Sequence, residues 1–246
     1  MGSTFVLGQI KPMETLPFIP GEEIKYHAIY EWGFIEIKAG MVQFNVDTIN
    51  HNGQSCFHFK STGNSLPKYD WIYKVRDSFE SIVEKNSFQP LYYERHTNEG
   101  DLNILNKTYF RADESRIDME LYSSEKGASI KSIPYEAGIL DLQTAVYYAR
   151  LLSFENAMMG EEYTFKVIVD GERYDIPIRY EGLETIKLGN NSYSCYRIST
   201  QVIEGTIFKS HQTIKIWVTD DGRQIPVKVE APIIVGLVKA ELIDNH

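Results

Sequence analysis

The side chains that could do chemistry here are two thiols, six imidazoles and a dense set of aromatic rings. Cys56 and Cys195 occupy like settings, Ser55-Cys56-Phe57-His58 and Ser194-Cys195-Tyr196-Arg197. On a strand, Cys56 shares a face with His58 and Lys60, and Cys195 with Arg197 and Ser199, so both thiols fall on the more polar side. A disulfide between them would close a long loop and stabilise by about 5 kcal/mol in the chain-entropy model. The weightier reading is two unpaired, inert thiols, because like positions in two segments need not be neighbours in space. Two thiols are too few for a structural zinc site, and Cys56-x-His58 is a weak metal pair.

His27, His51, His58, His96, His211 and His246 include no pair at helical metal-binding spacing and no HExxH. No nucleophile elbow or phosphate-binding glycine pattern is present. A Ser–His–Asp triad meets only in the folded chain, so that route to a hydrolase stays open but unspecific. Asp220-Asp221 joins two carboxylates, at a position before Gly222 where turn geometry accounts for them. The reading is a protein that is not an enzyme and needs no cofactor or metal.

The rings are more suggestive: 16 Tyr, 12 Phe and 3 Trp. Tyr69, Trp71 and Tyr73 alternate in one stretch, predicting one side of a strand, and Tyr92 lies on a later strand. Rings with a polar handle suit a groove for a lipid, lipoprotein or peptide. Ordinary sheet packing also collects such rings. With 34 acidic and 25 basic residues the net charge is −9, and no basic run occurs. That argues against nucleic acid, whose binding needs clustered cations. No apolar run approaches the ~18 to 20 residues that span a bilayer, so the chain reads as not membrane-spanning.

The elements that must position these groups are mostly strands. Ile24, Tyr26, Ala28 and Tyr30 alternate with polar residues, a half-buried strand. Residues 34–50 continue as a strand or pair with a bend at Gly40, and Asn52-Gly53 signals a hairpin. Short runs rich in β-branched and aromatic residues follow at 55–62, 71–83, 91–96, 104–111 and 117–122. They resume at 163–169, 174–180, 184–188, 193–202, 207–218, 225–229 and 233–243. One segment, 141–159, has helical spacing, with Leu142, Ala145, Val146, Ala149 and Leu152 on one stripe. Asp141 is its expected N-cap and Gly160 its C′ residue.

The predicted fold is mainly β: an antiparallel sheet in a half-barrel, barrel or sandwich, with one central helix. The expected organisation is an irregular lead-in at 1–20, a β half at 21–138, a connecting helix at 139–160 and a second β half at 161–246. Gly21-Glu22-Glu23 recurs as Gly160-Glu161-Glu162 at the same spacing as the two cysteines, which suggests duplicated halves. Phe5-Val6-Leu7, then Gly8-Gln9, looks like the tail of a signal peptide whose charged start and most of whose apolar region are missing.

Several pieces together are familiar. The opening Phe18-Ile19-Pro20-Gly21-Glu22-Glu23-Ile24-Lys25-Tyr26, then Trp32-Gly33 and Ala39-Gly40, resembles that of a family of exported bacterial proteins classed as a domain of unknown function. That family's helix reads roughly D-P-L-S-A-L-Y-Y-L-R. Asp141-Leu142-Gln143-Thr144-Ala145-Val146-Tyr147-Tyr148-Ala149-Arg150 is similar and departs at Leu142, Gln143 and Thr144. Trp217, Asp220-Asp221 and Ile225-Pro226-Val227 resemble its late hairpin. The resemblance implies an exported, mostly antiparallel β protein with no assigned activity, and it brings no catalytic residues. A more distant, fold-level analogy is to the half-barrel lipoprotein carriers of the cell envelope. The expectation is therefore a periplasmic or otherwise exported protein binding an apolar or amphipathic ligand. An envelope interaction or scaffolding module is the alternative, and a hydrolase comes last.

Overall fold

In a computed structural model, residues 16–201, 212–233 and 235–243 are described. The signal-peptide reading at 5–9, His211 and His246 lie outside them. The first half supplies β1 (Glu23–Trp32), β2 (Ile35–His51), β3 (Gln54–Ser65), β4 (Arg76–Glu84), β5 (Pro90–Glu99), β6 (Leu102–Arg111), β7 (Arg116–Ser123) and β8 (Gly127–Pro134). The short β9 (Ile139–Asp141) leads into α1 (Leu142–Ala149). Then come β10 (Glu162–Val169), β11 (Glu172–Leu188), β12 (Asn191–Gln201), β13 (Thr213–Thr219), β14 (Pro226–Pro232) and β15 (Leu237–Leu242).

All 15 strands form one sheet. Its order runs from β8 down to β1, then β15 down to β9. Each half is a meander of neighbours in sequence, and the β1–β15 pairing joins the two. Among the described residues only β9–β10 is parallel. No ladder joins β8 to β9, so the sheet is a strongly extended half-barrel and not a closed barrel. The local reasons are those of the sequence. Asn52 and Gly53 both take positive φ, closing the β2–β3 hairpin. Ala39 bulges where the β1–β2 register shifts. A Cβ on the adjacent Gly40 would stand 2.5 Å from the Asn64 carbonyl oxygen, so only glycine fits.

The two halves share local geometry. The Gly21 N–H donates to the Val46 carbonyl (2.7 Å) and the Val46 N–H returns to Glu22 O (3.0 Å). Gly160 and Glu161 do the same with Tyr180, at 2.8 and 2.9 Å. Phe88 and Gln224, each two residues before a strand-opening proline, both have positive φ, 57° and 45°.

The helix is shorter than its spacing predicts. It ends at Ala149, not near residue 159. Leu151 is buried against the first-half aromatic cluster, while Leu152 and Phe154 are buried in the second-half cluster. Both walls claim consecutive residues, which a single helical stripe cannot serve, so tertiary packing overrides propensity. Gly160 is accordingly no helix C′ residue; its positive φ belongs to the turn before β10. The N-cap is as read: the Asp141 carboxylate accepts from the Thr144 N–H (2.8 Å), the Thr144 hydroxyl (2.7 Å) and the Ser81 hydroxyl (2.6 Å). Strands β8 and β9 had no counterpart in the sequence reading. The 184–188 and 174–180 runs prove to be one long strand, β11, bulged near Tyr180.

Asp141 carries a pH dependence. Complete burial pushes its carboxyl up to about 6, against the hydrogen bonds that favour the anion. Asp77, half sheltered beside Glu99, is pushed up to about 7, first by burial and then by that neighbour. Both raised values have one sign. The folded chain holds protons that the unfolded chain releases from pH ~4 upward, so stability falls as pH rises to the folded value and then levels off. Denaturant titrations across pH ~4.5 to ~7.5 are expected to show this fall, on the order of a few kcal/mol, and Asp141→Asn is expected to remove part of the slope. A slope identical in the variant would show that Asp141 does not titrate there.

Candidate functional site

Side chains on one face of each strand point into the trough of the half-barrel. Ile24 and Tyr26 of β1, Val42 and Phe44 of β2, Phe165, Val167 and Val169 of β10, Ile176 and Ile178 of β11, and Ile214, Ile216 and Val218 of β13 line it at alternate positions. They enclose a cavity of about 1170 Å³. Period-two alternation thus builds an apolar lumen as readily as a packed core.

The helix closes one end. Its attachment to the wall is polar and aromatic. The Ser61 hydroxyl donates to Gln143 Oε1 (2.8 Å), the Tyr147 hydroxyl donates to the Asn45 carbonyl (3.2 Å), and the Tyr147 ring stacks on Phe59 at 3.9 Å. Gln143, Thr144 and Tyr147 are buried. The apolar stripe packs on the second wall, with Ala145 in that core cluster and Leu142 and Ala149 against it, and these three border the cavity together with Val146. The stripe was expected to be sheltered. Ala145 and Leu152 are, whereas Leu142 and Ala149 are half-buried and Val146 is 38% exposed.

Behind the helix, Arg150 anchors the closed end. Its guanidinium donates to both Glu22 oxygens (2.6 and 3.2 Å), to the Pro17 carbonyl (2.9 Å) and to the Arg223 carbonyl (3.1 Å). At the opposite end the lining becomes charged. The Arg95 guanidinium donates to both oxygens of Asp170 (2.8 and 3.0 Å), and the Asn106 amide donates to the same carboxylate (2.8 Å). Lys131 pairs with Glu172, and Glu136 with Lys166 and Arg173. These contacts run between the first half, through β8 and its neighbours, and the β10–β11 hairpin. They stitch the open sides of the sheet with side chains where no ladder exists.

The aromatic site of the sequence reading lies elsewhere. Tyr69, Trp71 and Tyr73 are not on a strand. A 3-10 turn at Pro67–Tyr69 leads into an exposed loop, with Trp71 82% and Tyr73 46% exposed, and none of the three borders the cavity. Pro67 and the Asp70–Arg76 ion pair (2.6 Å) favour the turn over extension. Tyr92 borders a smaller groove with Tyr109. The sequence reading named the α1 stripe but not the lumen it borders.

The cysteines are free and fully buried. Five strands separate β3 from β12 in the sheet, far beyond the ~7 Å that a disulfide spans between Cα atoms, so the disulfide reading is corrected. Both thiols lie on the side away from the lumen, but Trp217 and Val227 cover Cys195. Burial, with Asp220 and Asp221 nearby, pushes the Cys195 thiol up to about 12, and burial also raises Cys56. Asp221 is absorbed by its turn, accepting from the Thr219 hydroxyl (2.6 Å) and the N–H groups of Arg223 and Gln224 (2.9 and 3.0 Å). Among the described residues no cluster of metal-ligating side chains occurs, and no helix is long and apolar enough to cross a membrane.

Comparison with known proteins agrees with this architecture. The profile of a family described as a protein of unknown function (DUF3108) matches residues 25–243. A β-barrel-like protein of the domain of unknown function DUF1849 from Brucella abortus superposes with a TM-score of 0.59 at 5% identity, covering 90% of this chain and 95% of that one. At that identity the likeness is one of fold alone. A Bacteroides fragilis protein with a YmcC-like fold, described as a candidate for export, aligns with a TM-score of 0.37 at 9% identity over 93% of this chain and 96% of its own. No curated protein matches.

Proposed function

The chain belongs to the DUF3108 family of proteins of unknown function, and we propose that it is an exported, periplasmic, non-enzymatic carrier of an amphipathic ligand held in the trough of the half-barrel. The observation that carries this is the apolar lumen itself, faced by Val146 at the middle of a helix whose other stripe residues are packed on the second wall. A short amphipathic helix ordinarily buries its apolar stripe, because that burial supplies most of its stability. Here the polar and aromatic side is fastened to the first wall and the rest of the stripe to the second, and Val146 is left facing an apolar lumen of about 1170 Å³. That volume exceeds the ~300 to 1,000 Å³ of usual small-molecule sites and suits a long chain. The charged end around Arg95, Asp170 and Lys131 suits a polar head. Lipid, lipoprotein acyl chain and apolar peptide are the ligand classes this chemistry serves.

The matched glycine turns and pre-proline residues support a shared origin for the two halves, with β7 and β8 added to the first. In that reading both halves exist to build the two walls of one trough.

The test is titration with a fluorescent long-chain fatty acid, followed by native mass spectrometry. Saturable 1:1 uptake with a raised melting temperature is the expected result. Protein that neither takes up the probe nor gains thermal stability from it would overturn the carrier reading.

A further inference from the structure

The turns at the open end carry apolar side chains at their tips. Strand polarity puts the β1–β2 turn, the β3–β4 loop and the β14–β15 turn at this one end, away from the helix. Phe34 is fully exposed, Trp71 82%, Ile72 62%, Trp32 57% and Val235 54%. Isolated exposed apolar residues need no explanation, but a set of large ones gathered at one end does. The Trp71 loop is also built to hold its shape. The Trp71 indole N–H donates to the Lys68 carbonyl (3.0 Å), the Ile72 N–H to the Tyr69 carbonyl (2.9 Å), and Asp70 is gripped by Ser65 (2.5 Å) and Arg76. A hydrogen-bonded scaffold thus presents a hydrated indole and isoleucine.

We propose that this crown is a docking surface for the polar–apolar interface of a lipid bilayer. Three features select a bilayer over a protein partner. The side chains sit on the separate apices of three neighbouring turns, where a protein interface would need a continuous packed face. Tryptophan and tyrosine are the residues that settle at bilayer interfaces. The crown lies at the same end of the sheet as the charged part of the lumen's lining, which includes Glu99 and Lys126. Several of the rim's charges are paired with one another: Glu31 and Glu36 with Lys239, Asp70 with Arg76, and Asp170 with Arg95. Docking is therefore driven by apolar insertion and needs no anionic lipid, in keeping with the chain's net charge of −9. At the helix end the large exposed apolar residues among the described ones include Ile19, Met158, Met159 and Leu183, none of them aromatic.

This rests on the carrier reading only for its purpose, the passage of a chain between membrane and lumen. Flotation of the full chain with phosphatidylcholine vesicles tests docking separately. The native protein is expected to float with the vesicles and to stay bound in about 0.5 M salt, where surface charge attraction is screened. The Trp71→Ser, Ile72→Ser double variant is expected to lose flotation about ten-fold or more. A variant disabled in the lumen should float as the native protein does, so the two readings fail separately. Absence of native flotation, an undiminished double variant, release by salt, or a dimer in light scattering that the double substitution dissolves would each overturn the proposal.

Discussion

Val146→Asp is expected to abolish chain uptake while leaving the fold standing. Val146 is 38% exposed and borders the lumen, so its methyl groups contribute little to packing. Valine and aspartate have similar helix propensities, and the residue lies in the middle of the eight-residue Leu142–Ala149 helix. Stability should shift by no more than about 1 kcal/mol. Uptake is another matter. A carboxylate in the lumen must be stripped of water by an incoming hydrocarbon, and stripping an unpaired charge costs several kcal/mol, enough to weaken binding about 100-fold or more. Val146→Ala, which only enlarges the lumen, should keep most of the affinity. Fatty-acid titration of the three proteins alongside urea melts decides the matter. An Asp variant that binds as tightly as the native protein would place the ligand elsewhere.

Arg150→Met should cost the most stability. The Arg150 and Glu22 side chains are 4% and 3% exposed, with only Arg223 (3.1 Å) as a second partner for Glu22. Methionine keeps much of the volume beneath the Phe18 and Tyr147 rings, which the guanidinium now overlies at 5.5 and 5.9 Å. It strips the donors from two carbonyls and leaves a buried carboxylate almost bare. Breaking such a pair costs about 3–5 kcal/mol. For a chain this long that is a fall in melting temperature of roughly 6–20 °C. Adding Glu22→Gln should restore part of the loss, since the two changes share one network. A single variant melting within about 2 °C of the native protein would mean that solvent already screens the pair.

The strands were legible because each has one wet and one dry face, and alternation records that. Glu23–Trp32 and the Asn52-Gly53 hairpin are the clearest instances. Gly127–Pro134 was not legible: it is an edge strand, half or fully exposed along its whole length, so neither face is marked. The cap at Asp141 could be read because it is local chemistry, whereas the helix end at Ala149 is set by Leu151, Leu152 and Phe154 serving opposite walls. The lumen was invisible for a general reason. A side chain facing an empty trough and one facing a filled core obey the same period, and only the coordinates of the far wall tell them apart. Trp71 misled because alternation in sequence imitates a strand even across a 3-10 turn that side chains and a proline impose.

The stitching between β8 and the β10–β11 hairpin bears on what sets the width of the trough. A closed barrel has its girth fixed by strand number and stagger. This sheet has an unladdered seam, crossed by ion pairs such as Arg95–Asp170 and Glu136–Arg173. A change of width at such a seam would break no backbone hydrogen bond, but it would have to part the buried cluster that packs across it. Along that line the girth is therefore set by side chains, the ion pairs together with Ile139 and Ile168 packed on Tyr93, Phe110, Ile117 and Met119, and not by backbone ladders.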